Sequence, residues 1–287
     1  MAENANGAVL ITGASTGIGK ACALLLDHCG YVVFAGVRSE EAAGRLQSEA
    51  SDRLLPVILD ITDQGQIANG VKSVKNVLGP AHGLAGLINN AGIVVSGPLE
   101  FLPLDRLRRQ FEVNVIGQIA VIQAFLPMIR KGRGRIINIG TAGCHVAPPF
   151  LGPYIASKSA METLTGALRR ELAPWGIPVS MVVPGAIETA IWDKSLAEAD
   201  KIEAEFPVEA KRLYSKRFTA GRKMMLKLRG HAVTPEAVAG IVRAVLKSRR
   251  PKRRYLVGTG AFMMTIITRI FPDPLVDWLI GKGLKDR

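Results

Sequence analysis

The chain has 287 residues, 48% of them hydrophobic and 21% charged, enough apolar matter for a substantial core, which excludes disordered and fibrous classes. Three cysteines (Cys22, Cys29, Cys144) and four scattered histidines (His28, His82, His145, His231) make neither a disulfide framework nor a zinc pattern, so no metal site is expected. The formal net charge is +13, yet residues 211–287 hold 19 Lys/Arg against 4 Asp/Glu while residues 1–210 hold 18 against 20. A neutral body with a basic end suggests a local anionic partner, not a nucleic-acid binder, and no nucleic-acid-binding motif is present.

Residues 1–8 carry no Lys or Arg, so they do not start like a secretory signal. No apolar run reaches the ~18 residues of a spanning helix; the best candidate, 260–268, is cut by Arg269. The expectation is a cytoplasmic chain that does not span a bilayer. Residues 8–12 read as a short strand, followed by a glycine-rich turn and a helix over 17–29. Strand and helix signals then alternate: strands at 31–37, 54–60, 84–89, 135–140 and 178–183, helices at 40–50, 63–78, 104–130 and 154–172. Strands that are apolar throughout and separated by helices predict a parallel sheet covered on both faces. With right-handed crossovers this is a doubly wound α/β fold of Rossmann type, with about seven strands.

After Pro184-Gly185 the pattern loosens. Residues 188–230 are charged and helix-prone; a helix returns at 235–247 and a short strand at 254–257, and the tail mixes apolar patches with Pro272 and Pro274. The simplest organisation is one domain over 1–287, with 190–230 as a substrate lid and 258–287 as a C-terminal tail.

Four motifs carry chemistry. Gly13, Ser15, Thr16, Gly17, Ile18 and Gly19 form a Gly-x3-Gly-x-Gly turn between strand and helix, where backbone can approach a pyrophosphate and a helix N-terminus offers free N–H groups. Asn89-Asn90-Ala91-Gly92 closes the fourth strand. Tyr154-Ile155-Ala156-Ser157-Lys158 opens a helix. Pro184-Gly185 follows the sixth strand, with Ile187 and Thr189 just beyond. In this order and spacing the set resembles the short-chain dehydrogenase/reductase family over roughly residues 7–190. Arg254-Tyr255, Gly258, Pro272 and Leu275-Val276-Asp277 resemble its retinol and 17β-hydroxysteroid dehydrogenase branch.

The resemblance implies an NAD(P)-dependent oxidoreductase that moves hydride between nicotinamide and a carbonyl or secondary alcohol of an apolar substrate. It also implies a homodimer or homotetramer. Tyr154 and Lys158 stand at i and i+4, sharing a helix face. A lysine ammonium would lower the ~10 pKa of a free tyrosine, so that the phenol exchanges a proton with the substrate oxygen. In isolation the same pair also reads as a solvated tyrosine and lysine. Where the family has a substrate-orienting serine, this chain has Thr141, which keeps the hydroxyl and adds a stiffening methyl. Asn114 matches the family's helix-kinking asparagine, which holds a proton-relay water. Asp60 and Ile61 match adenine contacts, Asn90, Ala91, Pro184, Gly185 and Ile187 line the cofactor, and Thr189 meets the carboxamide.

The second strand ends in Arg38-Ser39 with no acid before Glu40. An acid there would hold the ribose 2′-hydroxyl, whereas Arg38 suits a 2′-phosphate, so NADP is favoured with NAD possible. An Arg38–Glu41 surface pair is the alternative. In the lid, Trp192, Phe206, Leu213, Phe218, Met224, Met225 and Leu228 interleave with Lys211, Arg212, Lys216, Arg217, Arg222, Lys223, Lys227 and Arg229, and a second basic cluster spans 247–254. The pattern suits a solvated face, peripheral contact with an anionic membrane, or an acidic partner. A nicotinamide-binding sensor or scaffold with little catalysis is the competing functional class.

Overall fold

A computed structural model describes residues 6–189, 191–230 and 232–283. The strands are β1 (Ala8–Ile11), β2 (Val32–Val37), β3 (Leu54–Ile58), β4 (Leu84–Asn89), β5 (Arg135–Ile139), β6 (Val179–Pro184) and β7 (Arg254–Val257). They form one sheet in the order β3-β2-β1-β4-β5-β6-β7, with every neighbouring pair parallel. Alternate residues sort to the two faces. Val9, Ile11 and Val33 pack under Leu26, Val238 and Val242 of α1 (Gly17–His28) and α9 (Pro235–Lys247). Leu10, Phe34 and Leu87 pack under Val74, Ile122 and Phe125 of α3 (Gln64–Leu78) and α5 (Gly117–Lys131). The strand order reverses between β1 and β4, which opens a crevice at their carboxyl ends, where open α/β sheets bind ligands.

Caps explain two helix starts. Ser39 accepts the Ala42 N–H ahead of α2 (Glu40–Gln47), and Asp63 accepts the Gln66 N–H ahead of α3. The helix expected over 104–130 is three pieces instead: α4 (Leu104–Phe111), a π-helical segment (Glu112–Ile116) and α5. The Gly117 N–H reaches back five residues to the Glu112 carbonyl. A Cβ on Gly117 would stand 2.6 Å from the Ile61 carbonyl oxygen, so only glycine allows the rod to lie this close to the loop after β3. By length and hydropathy Leu104–Lys131 could cross a bilayer, but Val121, Ile122, Phe125 and Ile129 on it belong to the core.

Beyond β6, residues expected as a lid form α7 (Ile191–Ala204) and α8 (Val208–Arg229); α6 (Gly152–Glu171) precedes β6. Ala199, Ile202, Phe206, Ala210 and Phe218 bury themselves with Val95 and Leu102, after β4. Phe150 sets its ring edge-on to Phe218 and Tyr214. Arg106 of α4 ties down Glu198 and Glu205. The side chains of Met224, Met225, Lys227 and Leu228 lie outside the described residues. The tail contains α10 (Thr259–Ile270) and α11 (Asp273–Gly283), with Pro272 and Pro274 at the break and in the first turn, where helices tolerate proline.

Candidate active site

The glycine turn is built by close backbone approach. Gly13 has φ 65°, and a Cβ there would stand 2.8 Å from Ala91 Cα; Gly17 has φ 56°, and its Cβ would stand 3.0 Å from Thr189 Cγ2. Thr12 Oγ1 accepts the N–H groups of Asn90 (3.0 Å) and Ala91 (3.1 Å), and Asn90 Nδ2 donates to the carbonyls of Thr12 and Gly13, both at 3.0 Å. Asn90, expected at the cofactor, thus uses its side chain to fix the turn. α1 begins at Gly17 with Thr16 extended, no side-chain cap and no acid in its first turn, so its N–H groups and positive dipole end face the crevice unspent.

Arg38 is exposed at the end of β2. Glu41 pairs with Arg45, not with Arg38. Beside Arg38, after β3, burial would raise the Asp60 carboxyl, but the Thr62 backbone N–H and hydroxyl (2.9 and 2.7 Å), with Arg109 and Arg38, hold it below its usual value. Ile61 is buried beside it; Pro184 ends β6, Gly185 donates to the Val257 carbonyl at 3.0 Å, and Ile187 bridges Val233. These placements gather the turn, Ala91 and Thr189 at one carboxyl edge of the sheet.

Tyr154 and Lys158 project from the same face of α6. Lys158 is buried and Nζ donates to the Ile139 carbonyl at 2.9 Å, lying 6.0 Å from the centre of the Tyr154 ring. Thr141 stands extended at the end of β5, just ahead of a 3-10 turn (Ala142–His145), with its side chain near enough to Tyr154 to favour the phenolate. Burial pushes the Tyr154 phenol up to about 12, a rise only partly offset by Thr141. Burial likewise pulls Lys158 down to about 8. The expected lowering of the tyrosine by its lysine is therefore not found: desolvation dominates both groups, and the ammonium points to a carbonyl rather than to the phenol. Cys144 donates to the Thr141 carbonyl at 3.0 Å, and burial raises its thiol to about 11, so it steadies the turn as a neutral group.

Asn114 sits in the π segment with its amide spent on protein. Oδ1 accepts the Ile93 N–H at 2.9 Å, while Nδ2 donates to the Ile93 carbonyl (3.0 Å) and to Ser157 Oγ (3.1 Å). Sequence reasoning missed its companions. Gln110 accepts the Val95 N–H at 2.6 Å and donates to the Ile93 carbonyl (3.0 Å) and to Ser157 Oγ (3.3 Å). Ser157 in turn donates to the Tyr154 carbonyl at 2.7 Å. Gln118 is buried one step further along the rod. Gln110, Asn114 and Gln118 recur every four residues in a largely apolar stretch, a polar stripe that could have exposed the network.

The two basic clusters separate. α8 covers loops that follow β4 and β5, whereas the 249–253 loop precedes β7, at the amino end of a parallel sheet. Arg254, counted with that loop, pairs with Glu162 at 2.8 Å. Among the described residues no group of three or more His, Cys, Asp or Glu could hold a metal.

The short chain dehydrogenase family profile matches residues 7–200. The chain is 36% identical over 281 residues to 17-beta-hydroxysteroid dehydrogenase type 6 of Bos taurus, covering 96% of this chain and 88% of that protein. It is 33% identical over 284 residues to retinol dehydrogenase 5 of Mus musculus, covering 96% and 89%. A short chain dehydrogenase from Burkholderia cenocepacia, solved in complex with NADP, superposes with TM-score 0.71 at 26% identity, covering 98% of each chain. Profile, relatives and sheet order agree: the chain belongs to the short-chain dehydrogenase/reductase family of oxidoreductases, in its retinol and hydroxysteroid dehydrogenase-like branch.

Proposed function

We propose that this protein is an NADP-linked oxidoreductase that transfers hydride between the nicotinamide and a carbonyl or secondary alcohol of an apolar, steroid-, retinoid- or lipid-like substrate. The residues fit a dinucleotide: the glycine turn admits no Cβ at Gly13, the α1 N-terminus is uncapped, and Arg38 is exposed and makes no ion pair within 4 Å among the described residues. Gly13, Ser15, Thr16, Gly17, Ile18 and Gly19 would hold the pyrophosphate, Arg38 the 2′-phosphate, Asp60 and Ile61 the adenine, and Ala91, Pro184, Gly185, Ile187 and Thr189 the nicotinamide half. The cofactor supplies the hydride.

The observation that carries the reading is the placement of Tyr154 and Lys158 on one face of α6, Lys158 buried with Nζ 2.9 Å from the Ile139 carbonyl, and Thr141 at the end of β5 close enough to act on the phenol. Thr141 and Tyr154 can both donate to one substrate oxygen, which orients a carbonyl and stabilises the charge that develops on it. With its pKa raised to about 12, Tyr154 is a neutral phenol at pH 7, ready to give its proton to the nascent alkoxide. Lys158 lends positive charge, and Asn114 positions the helix that bears both. The buried aromatic cluster of Phe150, Phe206 and Phe218 makes the neighbouring wall apolar. The experiment is turnover of a carbonyl panel with NADPH and NADH by the parent and by Tyr154→Phe. The variant should lose at least ~10²-fold in kcat with NADPH binding intact. Full activity of the variant on every accepted substrate would overturn the assignment.

A further inference from the structure

The amino edge of the sheet gathers cations on three neighbouring connections. β5, β6 and β7 lie side by side and parallel, so the segments that enter them emerge together. α5 ends there in exposed Arg130 and Lys131, with exposed Arg133 in the turn to β5. α6 exposes Arg170 in its last turn, ahead of β6. α9 ends in Lys247, and the loop to β7 exposes Arg249, Arg250, Lys252 and Arg253. Little opposes this charge: residues 113–161 and 237–272 contain no Asp or Glu, and Glu171 is the one acid in 163–187. Among the described residues none of these nine cations makes an ion pair within 4 Å. The backbone beneath them is pinned. Arg135 turns inward, its Nη1 donating to the Val245 and Ser248 carbonyls at 2.6 and 2.7 Å. Ser180 Oγ donates to the Lys252 carbonyl at 2.7 Å, and the Lys252 N–H donates to the Tyr255 hydroxyl at 2.8 Å. Trp175 stands 57% exposed on the turn into β6, with the Arg130 guanidinium 5.1 Å from its ring centre.

We infer that this amino edge is a docking surface for an acidic polypeptide, an extended Asp/Glu-rich segment of a partner protein. Like charges held this close repel one another and weaken the fold, and an anionic partner removes that repulsion. Six of the nine cations are arginines, whose planar forks take a carboxylate through two hydrogen bonds. The pinned loop holds its share of them in place before binding, so little ordering remains to oppose association. Two features favour a polypeptide over other polyanions. Among the described residues Trp175 and Val77, the latter near the end of α3, are the exposed bulky apolar side chains at this edge, too few to enter an acyl layer or to stack a run of bases. α5, α6 and α9 also end here, and helix ends carry partial negative charge on their last carbonyls. A polypeptide brings N–H donors to those carbonyls along with its carboxylates, whereas a phosphodiester backbone brings acceptors only.

The test titrates the full chain into a fluorescein-labelled oligo-glutamate of about 20 residues and reads anisotropy, at low salt and at 1 M, where the Debye length is ~3 Å. Expected are binding at low salt, release at 1 M, and a parent melting temperature that rises with the peptide. The triple variant Arg249→Glu, Arg250→Glu, Arg253→Glu should bind at least ~10-fold more weakly, with a melting temperature equal to or above the parent's at low salt. Arg249→Gln, Arg250→Gln, Arg253→Gln, a gentler change, should lose affinity by a smaller factor. Lys211→Glu, Lys216→Glu, Arg217→Glu makes the same change in net charge on α8, at the other edge of the sheet, and should bind like the parent. Three results overturn the proposal. One is no binding of the peptide at low salt. The second is equal loss in the α8 variant, which would make the attraction a property of net charge. The third is tighter binding of an oligothymidylate of equal length, or of phosphatidylglycerol vesicles, that the Arg249/Arg250/Arg253 variants abolish; the edge would then read phosphate.

Discussion

Tyr154 and Lys158 pay opposite consequences of the same burial. Lys158 falls from its ordinary 10.5 to about 8. Between those values the unfolded chain holds a proton that the folded chain has released, so this lysine makes stability rise with pH across that window. Below about 8 it is a charged, buried group that costs roughly 3 kcal/mol. Lys158→Met should therefore keep or raise the melting temperature at pH 7, with the gain shrinking towards pH 10, while turnover falls at least ~10²-fold. Thermal melts at both pH values check the sign. At Thr141, replacement by serine keeps the donor and should hold or raise kcat; alanine should cost ~2–4 kcal/mol of transition-state stabilisation, read as a drop in kcat/KM. Arg38→Asp should weaken NADPH strongly and spare or improve NADH, measured by cofactor fluorescence, because a carboxylate repels the 2′-phosphate. The identity and meeting of Thr141, Tyr154 and Lys158 were legible in the motif spacing. The direction of the tyrosine shift was not, because i and i+4 fix proximity along a helix but say nothing of desolvation or of where an ammonium finds its acceptor.

The π segment does at element scale what no single residue does. It turns Gln110 and Asn114 together onto the Ile93–Val95 backbone and onto Ser157, so one helix, one loop and the Tyr154 helix share a buried clamp. Gln110→Leu keeps the bulk but strands the Val95 N–H and one lone pair of Ser157. It should cost ~1–3 kcal/mol of stability. kcat should drop more than KM rises, and Gln110→Glu, which retains the acceptor for Val95, should recover part of the stability. Equal kcat for the leucine variant would reduce Gln110 to a structural residue. Apolar periodicity announced a helix over 104–130 but not its break, because π geometry depends on a tertiary partner, the Ile93 backbone, 21 residues from Asn114 in sequence. The tail shows the same limit: prolines at a helix start and inside a loop look alike in sequence until the caps are seen.

Across the whole molecule, strand and helix alternation carried nearly all of the sheet, since strands buried on both faces are apolar at every position and need no partner to be recognised. Charge was less legible: one basic quarter became two clusters at opposite ends, because β7 runs the chain from the amino to the carboxyl edge between residues 254 and 257. That polarity of the sheet has a practical corollary. The amino edge consists of tight connections, such as those at Gly79, Arg133 and Gly176, where positive φ angles of 70°, 48° and 64° turn the chain sharply. None of these touches the glycine turn, Thr141 or Tyr154. Cys22 and Cys144 are buried, so once Cys29 is replaced by serine, a cysteine introduced on the exposed 249–253 loop would be the accessible thiol for coupling to a bead or electrode. An enzyme tethered there would present its cleft outward, free to exchange cofactor while held in place.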